Sequence, residues 1–187
     1  MFATTVIGIC WTTVVVIWLI SGIHAAKTRK TASGKAGRWF RFILAVAFPV
    51  CFLSNDLRTL NTIYLFSSDA FVQWVSVALC FTGISVAIWA RLHIGKSWAM
   101  PMAQTENTEL ITSGPYRLVR HPIYAGLILA MIGSMISASI LWSAWYILWT
   151  LYFLYSAFME EQALQAQYPM DYNDYKRKSK MFIPFVF

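Results

Sequence analysis

Charged residues are scarce in this sequence of 187 residues. They make up 12% of the chain, whereas about 25% is usual in a soluble domain. Hydrophobic residues account for 58%, and the mean hydropathy is +0.56. The shortage of charge excludes an ordinary soluble domain and predicts an integral membrane protein, in which residues 1–187 form a single membrane domain.

Acidic residues are the scarcer of the two charge signs. Eight Asp and Glu stand against fifteen Lys and Arg, which gives a formal net charge of +7. On a soluble protein this excess would suggest nucleic acid. Here the basic residues lie between apolar segments, where Lys and Arg set membrane orientation and contact anionic lipid headgroups. We therefore expect membrane lipids as partners and no nucleic acid.

Cysteines and nucleotide-binding motifs are also few or missing. Cys10, Cys51 and Cys80 lie within apolar runs without a CxxC pair, and the three histidines are scattered. We therefore expect no disulfide and no metal site. The sequence contains no GxGxxG, P-loop, GxSxG or HExxH motif. A nucleotide-like cofactor would need a pocket outside the Rossmann class.

Long apolar runs, by contrast, are abundant. Their lengths predict an all-α fold with five transmembrane helices, because about 20 apolar residues cross a bilayer. Basic residues follow the first run instead of preceding it, so we expect a retained helix and not a cleaved signal. Ser137-Ala138-Ser139 interrupts the last run and predicts a tight helical hairpin. The predicted spans are 3–23, 39–53 with a kink at Pro49, 71–90, 123–136 and 140–158.

The distribution of basic residues predicts the orientation of these spans. Fourteen of the fifteen Lys and Arg fall in or beside the segments 24–38 and 91–121 and the tail after Glu160. With five spans these three parts share one side of the membrane. Since Lys and Arg accumulate on the cytoplasmic side, the N-terminus is predicted outside and the C-terminus in the cytoplasm.

The segment SGPYRLVRHPIYAG, Ser113 to Gly126, stands at the start of the predicted hairpin. Pro122 suits the first turn of a helix, and the free N–H groups of that turn favour an anion. Donors, positive charge and flat rings stand close by in Arg117, Arg120, His121, Tyr116 and Tyr124. Two interpretations stay open: a pocket for a ligand with an anionic group and an aromatic ring, or a juxtamembrane anchor that reaches lipid headgroups.

Two carboxylates, Glu160 and Glu161, stand where the last apolar span is predicted to leave the membrane. A carboxylate at that depth is costly unless it has a partner. It could bind a ribose diol or a ligand cation. The alternative is a solvated helix end that pairs with Arg117 or Arg120. The tail tyrosines, predicted to form an interfacial belt, are Tyr168, Tyr172 and Tyr175.

Three elements of the sequence together resemble one protein family. They are ELITSGPYRLVRHPIYAG, then EEQAL at hairpin distance, and then DYNDY and FIP in the tail. The combination is similar to the isoprenylcysteine carboxyl methyltransferase family and its bacterial and archaeal relatives, and phospholipid N-methyltransferases share part of it. The upstream ARLHIGKSW also resembles the family. The resemblance implies a catalytic core at 90–187, preceded by three N-terminal spans within 1–89.

The resemblance implies a pocket for S-adenosylmethionine at the cytoplasmic membrane boundary, with S-adenosylhomocysteine as the product. By position, Glu160 would bind the cofactor from one side, and Gln104 matches a cofactor-contacting glutamine at a different spacing. Arg120 and Glu161 are candidates for a catalytic role. The other residues implied to bind the cofactor are Thr108, Glu109, Leu110, Ile111, Tyr116, His121, Pro122, Ile123 and Tyr124.

One position departs from the family pattern. In the eukaryotic prenylcysteine enzymes an arginine four residues before the first Glu meets the substrate carboxylate, and here that position is Ser156. We expect a methyltransferase whose lipid-like or prenylated acceptor enters from the bilayer. The alternatives are a phospholipid N-methyltransferase, an NADPH-dependent membrane enone or sterol reductase, and a membrane scaffold without enzymatic activity.

Reporter fusions at Lys30, Asn61, Glu106 and Phe187 test the predicted topology. We expect cytoplasmic signals at Lys30, Glu106 and Phe187 and an outside signal at Asn61, because Lys and Arg are retained on the cytoplasmic side. An outside signal at Glu106 or Phe187 would contradict the five-span arrangement.

Overall fold

The computed structural model of the chain describes residues 2–26, 62–66, 69–95 and 110–185. Within these ranges the fold is all-helical, and the β-structure consists of two isolated bridges, Tyr64 with Ser139 and Val119 with Lys180. A 3₁₀ turn at Gly114–Arg117 precedes the helical hairpin. The α-helices are α1 (Phe2–Ala26), α2 (Ala70–Ile94), α3 (Pro122–Ile136), α4 (Ile140–Gln167) and α5 (Asp171–Lys178).

Three of these helices, α1, α2 and α4, are long and apolar enough to cross a membrane. α3 has 15 residues. At about 1.5 Å per residue it covers about 22 Å, less than the ~30 Å of bilayer hydrocarbon. The predicted first and third spans and the hairpin are confirmed as helices. The predicted span at 39–53 lies outside the described residues, so the count of five stays a prediction.

The last helix extends well beyond the span predicted to end at 158. α4 continues to Gln167, because the residues of EEQALQAQ (160–167) include strong helix formers such as Glu, Ala and Leu. A bend at Tyr168 and a turn at Pro169 and Met170 then separate α4 from α5. Glu160 and Glu161 therefore lie inside a continuous helix, which fixes the directions of their side chains.

α2 and α3 pack backbone to backbone. A Cβ added to Gly126 would lie 2.5 Å from the carbonyl oxygen of Gly83, and a Cβ on Gly83 would collide with the backbone of α3. Small residues allow this close approach of membrane helices. Across the same seam Ser76 Oγ donates a hydrogen bond to the carbonyl of Gly133 at 2.7 Å. The seam fixes the position of α3, whose first turn carries the motif residues.

The core lies where α1 to α4 meet. Cys80, Ala87, Ala130 and Ala157 are fully buried there. Trp11 of α1 donates from Nε1 to Ser134 Oγ of α3 at 2.9 Å, which links the first helix to the hairpin. Small side chains at these positions let the helices approach closely, and hydrogen bonds between helices, such as that of Trp11, add to this packing.

We expect Gly83→Ala to lower the free energy of unfolding by about 1–3 kcal/mol, the usual cost of overpacking a tight contact. Gly8→Ala in α1 is the matched control, because a Cβ there meets nothing within 4 Å. The Gly8→Ala substitution should be neutral or slightly stabilising, since alanine is more favourable than glycine in a helix interior. Denaturant unfolding in detergent measures both, and equal stabilities would contradict the α2–α3 contact.

Candidate functional site

The motif residues take their positions from the 3₁₀ turn and the start of α3. Gly114 has φ of +59°, a left-handed conformation that favours glycine. Pro115 follows it in the turn, and Pro122 is the first residue of α3. Pro122 has no N–H to leave unpaired, and its fixed φ suits a helix start. The remaining N–H groups of that first turn lack partners within the helix.

His121 stands between the two carboxylates of α4. Its Nδ1 lies 3.9 Å from Glu160 Oε2, and its Nε2 lies 3.5 Å from Glu161 Oε1. The Tyr124 hydroxyl donates a hydrogen bond to Glu160 Oε2 at 2.9 Å. The structure therefore brings the predicted cofactor residues His121, Tyr124 and Glu160 together in space, although 36 residues separate Tyr124 from Glu160.

The two neighbouring glutamates differ in environment. The Glu160 side chain keeps 41% of its surface exposed, whereas the Glu161 side chain keeps 10%. Glu161 Oε1 accepts from Arg120 Nε at 2.5 Å, and Lys176 Nζ lies 3.3 Å from Glu161 Oε2. Glu161 is thus a buried, multiply paired carboxylate, while Glu160 retains an accessible one.

These contacts bear on both interpretations of the glutamate pair, a ligand-binding carboxylate and a solvated helix end paired with an arginine. The expected pairing with Arg120 is present, but it involves Glu161, which is buried and not solvated. Both candidates for a catalytic role, Arg120 and Glu161, are therefore engaged with each other. A catalytic role for either one stays a prediction.

Aromatic rings hold the orientation of His121 and Tyr124. The two rings stack with centroids 5.6 Å apart, and Tyr124 stacks on Phe153 of α4 at 5.5 Å. The Phe182 ring of the tail lies 5.9 Å from the His121 ring, centroid to centroid. Such aromatic pairs stabilise a structure beyond the apolar area that they bury. The ring contacts therefore constrain the orientations of His121 and Tyr124.

Two of the three tail tyrosines are buried, which corrects the prediction of an interfacial belt for them. Tyr172 is fully buried, and Tyr175 is buried as well. The Tyr175 hydroxyl donates to the carbonyl of Tyr116 at 2.6 Å. Burial raises the pKa of Tyr175 and of Tyr116 well above the ordinary value for tyrosine. The Tyr175 hydroxyl therefore keeps its proton and remains a donor.

The other predicted site residues fall into two groups. Leu110 and Ile111 are half-buried just before the 3₁₀ turn, and Pro122 and Ile123 are buried in the first turn of α3. The predicted contacts of Gln104, Thr108 and Glu109 lie outside the described residues. The described part of the candidate site thus consists of one turn, one helix start and one face of α4.

His93 is a site neighbour that no motif singled out individually. Its Nε2 lies 2.9 Å from Ser113 Oγ, and its ring stacks on Tyr116 with centroids 6.4 Å apart. A Cβ on Gly114 would lie 2.5 Å from the His93 ring. The resemblance of ARLHIGKSW to the family could have pointed to His93, which lies in this segment. Its contacts with Ser113 and Tyr116 depend on how α2 packs against the 3₁₀ turn, which the sequence does not show.

The family model for phospholipid methyltransferase matches residues 71–171 of this chain. Two curated relatives are similar to this chain over about half of their own lengths. The nickel-cobalt-cadmium resistance protein NccN of Alcaligenes xylosoxydans xylosoxydans is 30% identical over 120 residues, 59% of this chain and 52% of that protein. The cobalt-zinc-cadmium resistance protein CzcN of Cupriavidus metallidurans is 29% identical over 117 residues, 59% of this chain and 51% of that protein.

The chain spans about half the length of these curated relatives. Their names concern resistance to metal ions. Among the residues that the structure describes, no group of three or more His, Cys, Asp or Glu side chains is placed to hold a metal ion.

We expect Gly114→Ala to lower the free energy of unfolding more in the parent than in a His93→Ala background. The positive φ of Gly114, +59°, strains an alanine in either background. In the parent the new Cβ also meets the His93 ring at 2.5 Å. Denaturant unfolding of the parent, the two single variants and the double variant measures both losses, and equal losses in the two backgrounds would contradict the His93 contact.

Proposed function

The chain belongs to the phospholipid methyltransferase family, and from this premise we propose that it is an integral membrane methyltransferase that uses S-adenosylmethionine. The observation that supports this most directly is the arrangement of His121, Tyr124 and Glu160 around the start of α3. The proposed acceptor is a lipid-like or prenylated molecule that reaches the site from the bilayer.

The described residues suit the chemical groups of this cofactor. The unpaired N–H groups at the start of α3, at Ile123 and Tyr124, favour a carboxylate such as that of the methionine moiety. The accessible Glu160 carboxylate suits an ammonium group or a ribose diol, and it is already oriented by Tyr124. The aromatic side chains at the site suit a flat ring. Anion, cation and ring sites are therefore supplied by one short stretch and its partner on α4.

The cofactor, when bound, supplies a methyl group activated by a sulfonium. The share left to this chain is to position the reactants and to exclude water. His121 and Tyr124 are held by stacking, and Glu160 is held by the helix and by the Tyr124 hydroxyl. Such fixed groups orient a ligand without having to reorganise when it binds.

The acceptor side favours a neutral nucleophile, such as an unprotonated amine, over a carboxylate. Ser156 stands where the prenylcysteine enzymes have an arginine, and its side chain is fully buried on α4. The nearby cations Arg120 and Lys176 are paired with Glu161. A phospholipid amine is therefore the second candidate acceptor. Family membership favours both methyltransferase proposals over an NADPH-dependent reductase.

Calorimetric titration with S-adenosylmethionine and with NADPH tests the proposed cofactor. We expect the parent protein to bind S-adenosylmethionine with micromolar-scale affinity, about −8 kcal/mol, and NADPH not to compete. Glu160→Gln should weaken that binding by about 1.5–3 kcal/mol, because a hydrogen bond to a charged group is lost while the shape is kept. That loss is roughly ten- to a hundredfold.

Asp171→Asn is the control, since it removes an exposed carboxylate from the nearby start of α5. It should bind the cofactor like the parent. Normal binding by Glu160→Gln would remove Glu160 from the proposed site, and tight NADPH binding without S-adenosylmethionine binding would overturn the proposed cofactor. Incubating the protein with lipid extracts and radiolabelled S-adenosylmethionine then identifies the acceptor class.

A further inference from the structure

The C-terminal segment is hydrogen-bonded to the motif through both side chains and backbone. Residues 172–185 follow the last residue that the family model matches. We propose that residues 172–182, called here the tail clamp, order the cofactor-binding motif, with Tyr175 and Arg120 as positioning residues. The proposal rests on the proposed function for the identity of the cofactor, but the contacts themselves are independent of it.

Tyr175 fixes the 3₁₀ turn from the side of the tail. Its hydroxyl donates to the carbonyl of Tyr116 at 2.6 Å, and the bond is buried. A hydrogen bond across 59 residues of sequence restricts where the turn can lie relative to α5. Removing the hydroxyl would leave a buried carbonyl without this partner, which is the costly direction of hydrogen-bond loss.

Arg120 joins three separate segments through one guanidinium. Its Nε donates to Glu161 of α4, and its Nη1 donates to the carbonyl of Ser179 at 2.6 Å. The Arg120 side chain keeps 8% of its surface exposed. The planar guanidinium presents several donors in fixed directions, which a lysine cannot reproduce. Arg120 therefore holds the motif, the last membrane helix and the tail in one arrangement.

The backbones of the two segments are paired as well. Arg120 N–H donates to the carbonyl of Lys180 at 2.8 Å, and His121 N–H donates to the carbonyl of Met181 at 3.2 Å. In the other direction Lys180 N–H donates to the carbonyl of Leu118 at 3.3 Å. Two of these bonds use the N–H groups immediately before α3. The entry of the chain into the helix start is thus set by residues near the C-terminus.

Hydrogen–deuterium exchange and calorimetric titration with S-adenosylmethionine on the full chain test the clamp. We expect Tyr175→Phe to raise amide exchange in residues 113–121 by about three- to tenfold, the range of one hydrogen bond, with no change in the α2–α3 seam. The Kd for S-adenosylmethionine should rise by a similar factor. Arg120→Lys should act in the same direction despite keeping its charge.

Tyr155→Phe is the matched control, because it removes the same hydroxyl from an exposed position on α4. It should leave both readouts unchanged. A purely structural role predicts that exchange rises equally in the α2–α3 seam, and that outcome overturns the proposal. Unchanged exchange in residues 113–121 overturns it too, as does raised exchange with an unchanged Kd for S-adenosylmethionine.

The two proposals fail separately. If the parent does not bind S-adenosylmethionine, the proposed function fails. The exchange of residues 113–121 then decides alone whether the tail clamp orders the motif.

Discussion

A buried carboxylate with few permitted partners organises this protein. Glu161 lies within a membrane helix and is largely shielded from solvent, where an unpaired charge would cost several kcal/mol. Its partners come from two other places in the chain, Arg120 before α3 and Lys176 in α5. The pairs of Glu161 with Arg120 and with Lys176 are both present only when the hairpin and the tail have packed against α4, so both segments stabilise this carboxylate.

The geometry of the α4 helix leaves the neighbouring carboxylate, that of Glu160, accessible to a ligand. Consecutive residues on a helix point about 100° apart, so Glu161 turns toward the interior while Glu160 keeps a substantial exposed surface. Tyr124 orients Glu160 without neutralising it. Of these two neighbouring glutamates, Glu161 therefore stabilises the fold through its ion pairs, and Glu160 remains accessible to a ligand.

Hydropathy and turn residues predicted α1, α2, α3 and the apolar part of α4, including the reversal at Ser137–Ser139, because a break in an apolar run is visible locally. They did not predict α5, which is short and polar. They did not predict how far α4 extends, since a helix can continue into polar sequence where hydropathy falls. They also misplaced Tyr172 and Tyr175, because an amphipathic ring suits lipid headgroups and protein interiors alike. The pairing of Val119 with Lys180 depends on the tertiary fold and leaves no local pattern.

The glycine contact between α2 and α3 also prevents a lipid chain from passing between these two helices. With the backbone of Gly83 against that of Gly126, no gap remains through which an acyl or prenyl chain could slide between these two helices. The hydrophobic acceptor that we propose would therefore have to reach the start of α3 from another side. Side chains that select among such acceptors would lie along that approach, away from the contact between α2 and α3.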